Sequence, residues 1–390
     1  MTARGRGALA LGAAVYLAAW AFGSRALYPV AVGLFAAVLL AWLAVRLTAR
    51  PLRLHRTLKT QPVEQEDVQV RVELELESPF APAGITLVDR YAKLGERRLA
   101  LRRAGRFLWG RYVFPSVPRG RYPVDSVDAE VEDPFGLARM RIPLGRQPAM
   151  IVYPRLVELE RVFSEVGVHM REGRRLLLQR PSGFDVHSVR DYVEGDSLRK
   201  VHWPSTARRG HLMVKEVEDS PRDELAVVLD AHRETGRASF DVSVRAAGSL
   251  LGAYARRGRR CALVVAGSTR QVQRVHAEGD WLRVLELLAA AEADGREPAV
   301  SLLSGEGNPA PLALDLVVVT SRLPGALVER LVQRAAAHRS TALVHVNGVR
   351  RPDPALLRLQ RAGVAVTSVG PGDDLARALS AAPLAEAANA

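Results

Sequence analysis

Two N-terminal transmembrane helices, a β-sandwich of immunoglobulin-like type and a C-terminal α/β domain of Rossmann type form the fold class that this 390-residue sequence predicts. Three observations predict it. The first fifty residues hold two uncharged apolar stretches, a strict period-two alternation begins at Val68, and from Glu224 buried strand and helix patterns take turns. The divisions that follow are 1–50 for the helices, 60–155 for the sandwich, 156–222 for a joining segment, 223–380 for the α/β domain and 381–390 for a tail. Hydrophobic residues make 48% and charged residues 25% of the chain, which excludes wholesale disorder. The formal net charge of +13 suits a membrane surface, a nucleic acid or an acidic partner. The single cysteine, Cys261, excludes an internal disulfide framework and an all-cysteine metal site.

The two apolar stretches run over about 7–24 and 26–45, each near the roughly 20 residues an α-helix needs to cross the hydrocarbon core. Only Ser24 and Arg25 separate them, enough for a hairpin turn. Tyr16, Trp20, Tyr28 and Trp42 stand near segment ends, where aromatic rings anchor at the interface. Cleavage of a signal peptide would leave a second apolar helix at the new terminus, which argues for two spans instead. Arg4 and Arg6 flank the first stretch, and Arg46, Arg50, Arg53 and Arg56 follow the second. The positive-inside bias therefore places both termini in the cytoplasm.

From Val68 to Glu77, valines and leucines alternate with Gln69, Arg71, Glu73, Glu75 and Glu77, the pattern of a half-buried antiparallel strand. Strand-like runs follow at 85–90, 97–101, 107–115 and 122–131, divided by Pro and Gly turns. Short strands at this spacing predict a small sandwich. Beyond Glu224, the continuous apolar runs 225–229, 261–265, 314–319, 342–346 and 364–369 read as strands buried on both faces. Helical patterns at 240–256, 281–292, 325–338 and 373–381 alternate with them, predicting a parallel sheet covered by helices on both faces. Ligands of such sheets sit outside the carboxyl ends of the strands, which directs attention to the loops after Leu229, Val265 and Val319.

The joining segment is polar, charge-mixed and glycine-punctuated. It contains Arg190, Tyr192, Gly195 and Asp196, then Arg199, His202, Trp203 and Arg208. Upstream stand Asp133, Pro134, Phe135, Gly136 and Leu137, followed by Val152-Tyr153-Pro154. Together these strings resemble the signature of the domain of unknown function 58 family. The resemblance implies a membrane-anchored bacterial protein with a von Willebrand factor A-like domain after the signature. It further implies a MoxR-type AAA+ ATPase as partner, with a transglutaminase-like membrane protein as a second. No reaction comes with it. Read from the residues alone, Asp196 pairs with Arg190 or Arg199, and Trp203 packs its ring between two domains. The same residues could instead form a docking surface, since exposed Arg with Trp and Tyr is interface chemistry.

A von Willebrand A-like domain offers Asp-x-Ser-x-Ser at the end of its first strand, holding Mg²⁺ through carboxylate and hydroxyl oxygens. Here the sequence is Asp230-Ala231-His232-Arg233-Glu234, so the Asp is present and both serines are replaced. A hard cation does not choose His, and Asp230 reads better as a cap or turn residue; no cofactor is expected. His187, His202 and His211 lack the spacing of a zinc site. There is no phosphate loop and no nucleophile elbow. The expected function is thus a membrane-anchored, cytosol-facing interaction or assembly protein, not an enzyme. The alternatives are a metal-dependent hydrolase using His202 and His211, and a basic nucleic-acid binder at the membrane.

Overall fold

The computed structural model describes residues 1–48, 52–58, 61–76, 84–105, 107–159, 162, 186–193, 201–217, 225–276, 279–297, 299–305, 307–337, 339–347 and 353–380. Two compact units divide the chain: Met1–Arg155 with Leu288–Ala290, and Leu156–Leu287 with Ala291–Ala390. The first unit opens with α1 (Ala3–Ala21) and α2 (Leu27–Thr48). The expectation of two membrane spans is corrected here. Among the described residues, α2 alone is long and apolar enough to cross a membrane. Helix α1 begins at Ala3 because the Thr2 hydroxyl accepts the Gly5 N–H at 3.0 Å, a side-chain N-cap. That start winds Arg4 and Arg6 into the helix. At 1.5 Å per residue the uncharged remainder reaches about 22 Å, short of a ~30 Å hydrocarbon core. The two helices nevertheless lie together, with Tyr16 and Tyr28 edge to face at 5.5 Å between ring centroids. Where Gly12 passes Phe35, an added Cβ would come within 3.3 Å of the ring.

Where a small immunoglobulin-like sandwich is expected, the described residues of the unit form three antiparallel sheets. The strands are β1 (Leu52–Leu58), β2 (Val68–Leu76), β3 (Gly84–Tyr91), β4 (Gly95–Ala100), β5 (Arg102–Ala104), β6 (Phe107–Phe114), β7 (Gly120–Tyr122), β8 (Val124–Glu132), β9 (Arg139–Pro143) and β10 (Met150–Val152). Their orders are β1-β2-β6-β5, β4-β3-β8-β9 and the pair β10-β7. Val68, Val70, Val72 and Leu74 point into one core with Leu87, Ala129 and Val131 of the second sheet. Each such aliphatic side chain contributes about 1.5–3 kcal/mol on full burial. Ala41 and Val45 of α2 belong to the same core, so the carboxyl end of that helix is part of the β fold.

A buried ion pair lies against this core. Asp89 is fully buried; it pairs with Arg56 of β1 at 2.5 Å and accepts the Tyr112 hydroxyl. Tyr112 in turn lies 3.1 Å from the Tyr91 hydroxyl. Burial, with Tyr91 and Asp89 nearby, pushes the Tyr112 phenol far up, so the hydroxyl stays protonated and can donate.

The second unit carries β11 (Val186–Asp191), α3 (Trp203–Arg209) and β12 (Met213–Val217), then a sheet with strands β13 (Leu225–Asp230), β14 (Cys261–Ala266), β15 (Arg270–Val275), β16 (Asp315–Thr320), β17 (Ser340–Val346) and β18 (Ala365–Val369). Helices α4 (Arg237–Arg256), α5 (Asp280–Ala290), α6 (Gly325–Ala336), α7 (Pro354–Arg361) and α8 (Leu375–Ser380) intervene. The expected all-parallel sheet is corrected to a mixed one of order β15-β14-β13-β16-β17-β18, because β15 folds back antiparallel onto β14. Val228, Val318, Leu343 and Val366 pack under Leu327, Leu331 and Leu359 of α6 and α7. Strand β13 is buried at all six positions, which is why its sequence is apolar without alternation. Strand order reverses on either side of β13, so the ends of β13 and β16 are the place where sheets of this kind open a crevice for a ligand.

Candidate functional site at the strand ends

The register of the parallel strands sets a row of polar side chains across the carboxyl edge of the C-terminal sheet. Thr320 at the end of β16 is paired with His345 of β17, and His345 with Ser368 of β18. Asp230 ends β13 beside them, and the Thr320 hydroxyl donates to its Oδ2 at 2.7 Å. Both Asp230 and Thr320 are buried, at 3% and 0% exposure. The same hydroxyl accepts the backbone N–H of Arg322 at 3.0 Å. That bond turns the chain after β16 so that the Arg322 guanidinium comes back over the crevice. Its Nη2 lies 3.7 Å from Asp230 Oδ2 and its Nη1 3.6 Å from Glu234 Oε2. Thr235 and Ser321 join their hydroxyls across the two loops at 2.8 Å.

The loop after β13 is held from the other side by Gly295, whose N–H donates to the Ala231 carbonyl at 2.9 Å. An added Cβ there would meet the Ala266 and Ala231 carbonyl oxygens at 2.9 and 3.0 Å, so only glycine fits. Beyond β14, Asp294 Oδ1 accepts the Ser268 N–H at 2.8 Å. Burial works to raise the Asp294 carboxyl, but the hydrogen bonds from Ser268 outweigh it and hold the group below the usual range. The loops after Leu229, Val265 and Val319 are therefore fixed by side-chain and backbone bonds.

Asp230 thus has a hydroxyl donor and a guanidinium as its near partners. His232, at the first serine position of the metal motif, turns its Nδ1 to accept the Glu234 N–H at 3.2 Å. Among the described residues, no three His, Cys, Asp or Glu side chains converge as a metal cluster. The cation in this crevice is Arg322. Its Nε and Nη2 are buried without a hydrogen-bond partner, and so are both ring nitrogens of His345. His345 is 4% exposed, and burial holds its pKa below the usual value, with Asp353 pulling the other way. Unmet buried polar groups are costly and concentrate where a fold serves more than packing. Sequence reading missed Arg322 and His345. For His345 a signal existed, a lone imidazole inside the apolar run Ala342–Val346.

The signature residues fall differently. Strands β11 and β12 form an antiparallel pair, with Arg190 opposite Val214. Helix α3 lies between them in sequence and ends at Gly210, which takes the left-handed φ of 76°. The His202 ring lies 2.7 Å from Ser205 Oγ and the His211 ring 2.9 Å from Asp191 Oδ1. These two histidines have separate hydrogen-bond partners. Tyr192 is half-buried and Arg208 exposed. Trp203, expected to be packed between domains, is 65% exposed at the first turn of α3. His187 lies on β11; Gly195, Asp196 and Arg199 lie outside the described residues. In the first unit, Asp133 binds the Phe135 N–H at 2.9 Å and the Ala138 N–H at 2.6 Å, closing the Asp133–Leu137 turn on itself. Gly136 takes a φ of 68° and Phe135 is 76% exposed.

An apolar helix, an antiparallel β unit and a mixed α/β unit with an Asp–Thr–Arg cluster at its strand ends define a helix-tethered α/β protein. Residues 188–351 match the model of the family described as "Protein of unknown function DUF58". The chain is also similar to the "Uncharacterized protein YeaD" of Bacillus subtilis (strain 168), 27% identical over 282 residues, covering 68% of this chain and 69% of that protein.

Proposed function

We propose that the chain is a cytosol-facing protein-recognition module held at the bacterial plasma membrane by α2. Its strand-end crevice would dock a partner protein, for which the family resemblance points to a MoxR-type AAA+ ATPase; a transglutaminase-like membrane protein would share the assembly. The observation that carries this reading is the Arg322 guanidinium over Asp230 and Glu234, between loops fixed by bonds of their own. An arginine held in a crevice of strand ends presents a charged, preorganised fork, which suits recognition of a carboxylate on a partner. The basic residues after α2 support the cytosolic orientation.

The test uses the full chain in detergent and a purified MoxR-type ATPase, with binding followed by biolayer interferometry. Arg322→Gln and the surface change Glu234→Gln should each alter the affinity, the first weakening it about tenfold, as expected for loss of a charged hydrogen bond. Unchanged affinity in both variants would move the docking site elsewhere. No binding by the wild-type chain would remove the ATPase from the proposal.

A further inference from the structure

The Asp133–Leu137 turn is tied to the start of α1. Thr2 donates its hydroxyl to the Gly136 and Leu137 carbonyls, and its N–H reaches Leu137 O at 3.2 Å. Gly5 sits so close beneath that an added Cβ would lie 2.1 Å from the Leu137 oxygen. The turn is therefore locked onto the helix end rather than resting near it. Beside it opens a depression of about 580 Å³ lined by Thr2, Arg4, Glu132, Gly136, Arg139 and Arg141. Three guanidiniums, of Arg4, Arg139 and Arg141, thus line it beside the Glu132 carboxylate. Arg139 pairs with Glu132 at 3.1 Å and Arg141 with Asp128 at 3.1 Å, and both reach Glu130 more loosely, at 3.8 and 4.0 Å. Arg4 Nη1 closes over Gly136, 3.3 Å from where a Cβ would be.

These groups share one end of the apolar helix. Strands β8 and β9, which carry Glu132, Arg139 and Arg141, pack on α2. The last turns of α2 hold Trp42, with the Arg46 guanidinium over its ring at 5.2 Å. Aromatic and basic residues in this order mark the level of lipid headgroups. Phe135, 76% exposed on a rigid turn, stands where an apolar ring can enter that layer.

We infer that the turn and the three arginines form a binding site for the phosphate headgroup of an anionic phospholipid, with Phe135 inserted beside it. The inference rests on the proposed attachment through α2. Guanidiniums match phosphate oxygens in forked geometry, and basic side chains at the membrane surface gain affinity from anionic lipid. The second signature string, Asp133–Leu137, then acts physically by holding an aromatic ring and a cationic depression at the membrane surface.

The experiment is native mass spectrometry of the detergent-solubilised full chain with equal added amounts of dioleoyl-phosphatidylglycerol and dioleoyl-phosphatidylcholine. The wild type should retain the glycerol lipid in preference. Arg4→Gln and the pair Arg139→Gln/Arg141→Gln should each lower that preference by about fivefold per guanidinium removed. Arg139→Lys/Arg141→Lys, which keeps charge, should retain most of it, and this variant separates lost binding from lost fold. Equal retention of both lipids by the wild type, or a preference untouched by every glutamine variant, overturns the site. Displacement of the lipid by millimolar glycerol phosphate would assign the depression to a soluble phosphate ester and overturn the lipid assignment. Carbonate washing of membranes tests the attachment separately: a chain released by carbonate refutes anchoring through α2, whereas one that stays while showing no lipid preference refutes only the headgroup site.

Discussion

Replacing Thr320 by valine isolates the bond on which the strand-end crevice is built. The side chains are nearly equal in volume, and valine suits a parallel strand, so the change removes a hydroxyl and little else. What is lost is the 2.7 Å donor to Asp230, a carboxylate only 3% exposed, together with the acceptor of the Arg322 N–H. A hydrogen bond to a charged group is worth about 1.5–3 kcal/mol, and the buried acceptor is left short of a partner. The chain supplies its own reporter. Cys261 is its single cysteine and lies fully buried in β14, next to β13. A thiol reagent therefore labels it only when the C-terminal sheet opens. Where opening and closing outpace labelling, the rate follows the opening equilibrium, and a loss of about 1.5–3 kcal/mol raises it by about 12- to 150-fold. Thr320→Ser keeps the hydroxyl and drops one methyl, worth about 0.8 kcal/mol, so it should label only about fourfold faster. If the valine variant labels no faster than the serine variant, the hydroxyl does not hold the crevice together.

The same reporter reads His345. Its folded pKa is lowered by burial, so below about pH 6.5 the unfolded chain takes a proton that the folded chain refuses. The His345 contribution is full above about 6.5 and is lost as pH falls toward the lowered folded value. The labelling rate of the wild type relative to His345→Leu should therefore climb as pH drops from 7 to 5, by at most about tenfold per pH unit; a flat ratio refutes it. In the β unit, Arg56→Met should strip the fully buried Asp89 of its ion-pair partner and cost about 3–5 kcal/mol. Amide hydrogen exchange should show protection falling in β2, β3 and β6 while the C-terminal sheet is unchanged, and Arg56→Met with Asp89→Leu should recover much of it.

What the sequence reveals follows from which physical quantity each element displays. Strand β2 is legible because one face is solvated and the other packs in the core, so Val68, Val70, Val72 and Leu74 alternate with charge. Strand β1 has the same alternation, but its inward position 56 is an arginine, explained only by Asp89 on another strand. Strand β15, Arg270–Val275, is an edge strand of mostly half-exposed polar residues, so neither period nor apolar run announces it. The first of the two expected membrane helices fails for a related reason. The uncharged run from Gly7 to Ser24 is long enough on paper, but the Thr2 cap starts the helix early and places two arginines inside it.

The crevice is less legible than the fold because its chemistry joins residues distant in sequence. The position of Asp230 at the end of the first strand of the α/β unit follows from topology, and Thr320 from the same rule applied to β16. Arg322 carries no such mark, because loops have no period. Its role appears only when the Thr320 hydroxyl takes its backbone N–H and sends the side chain back toward Asp230. This also changes what the replaced serines mean. In isolation, His232 and Glu234 read as damage to a metal motif. In the folded chain Glu234 is the second carboxylate of the Arg322 guanidinium, and His232 accepts the Glu234 N–H. Substitutions that remove oxygen ligands and an arginine that brings its own positive charge form one consistent arrangement, in which the crevice can be charge-balanced by the protein itself. That makes Arg322 and Glu234, rather than Asp230 alone, the residues whose exchange tests the docking proposed for this edge of the sheet.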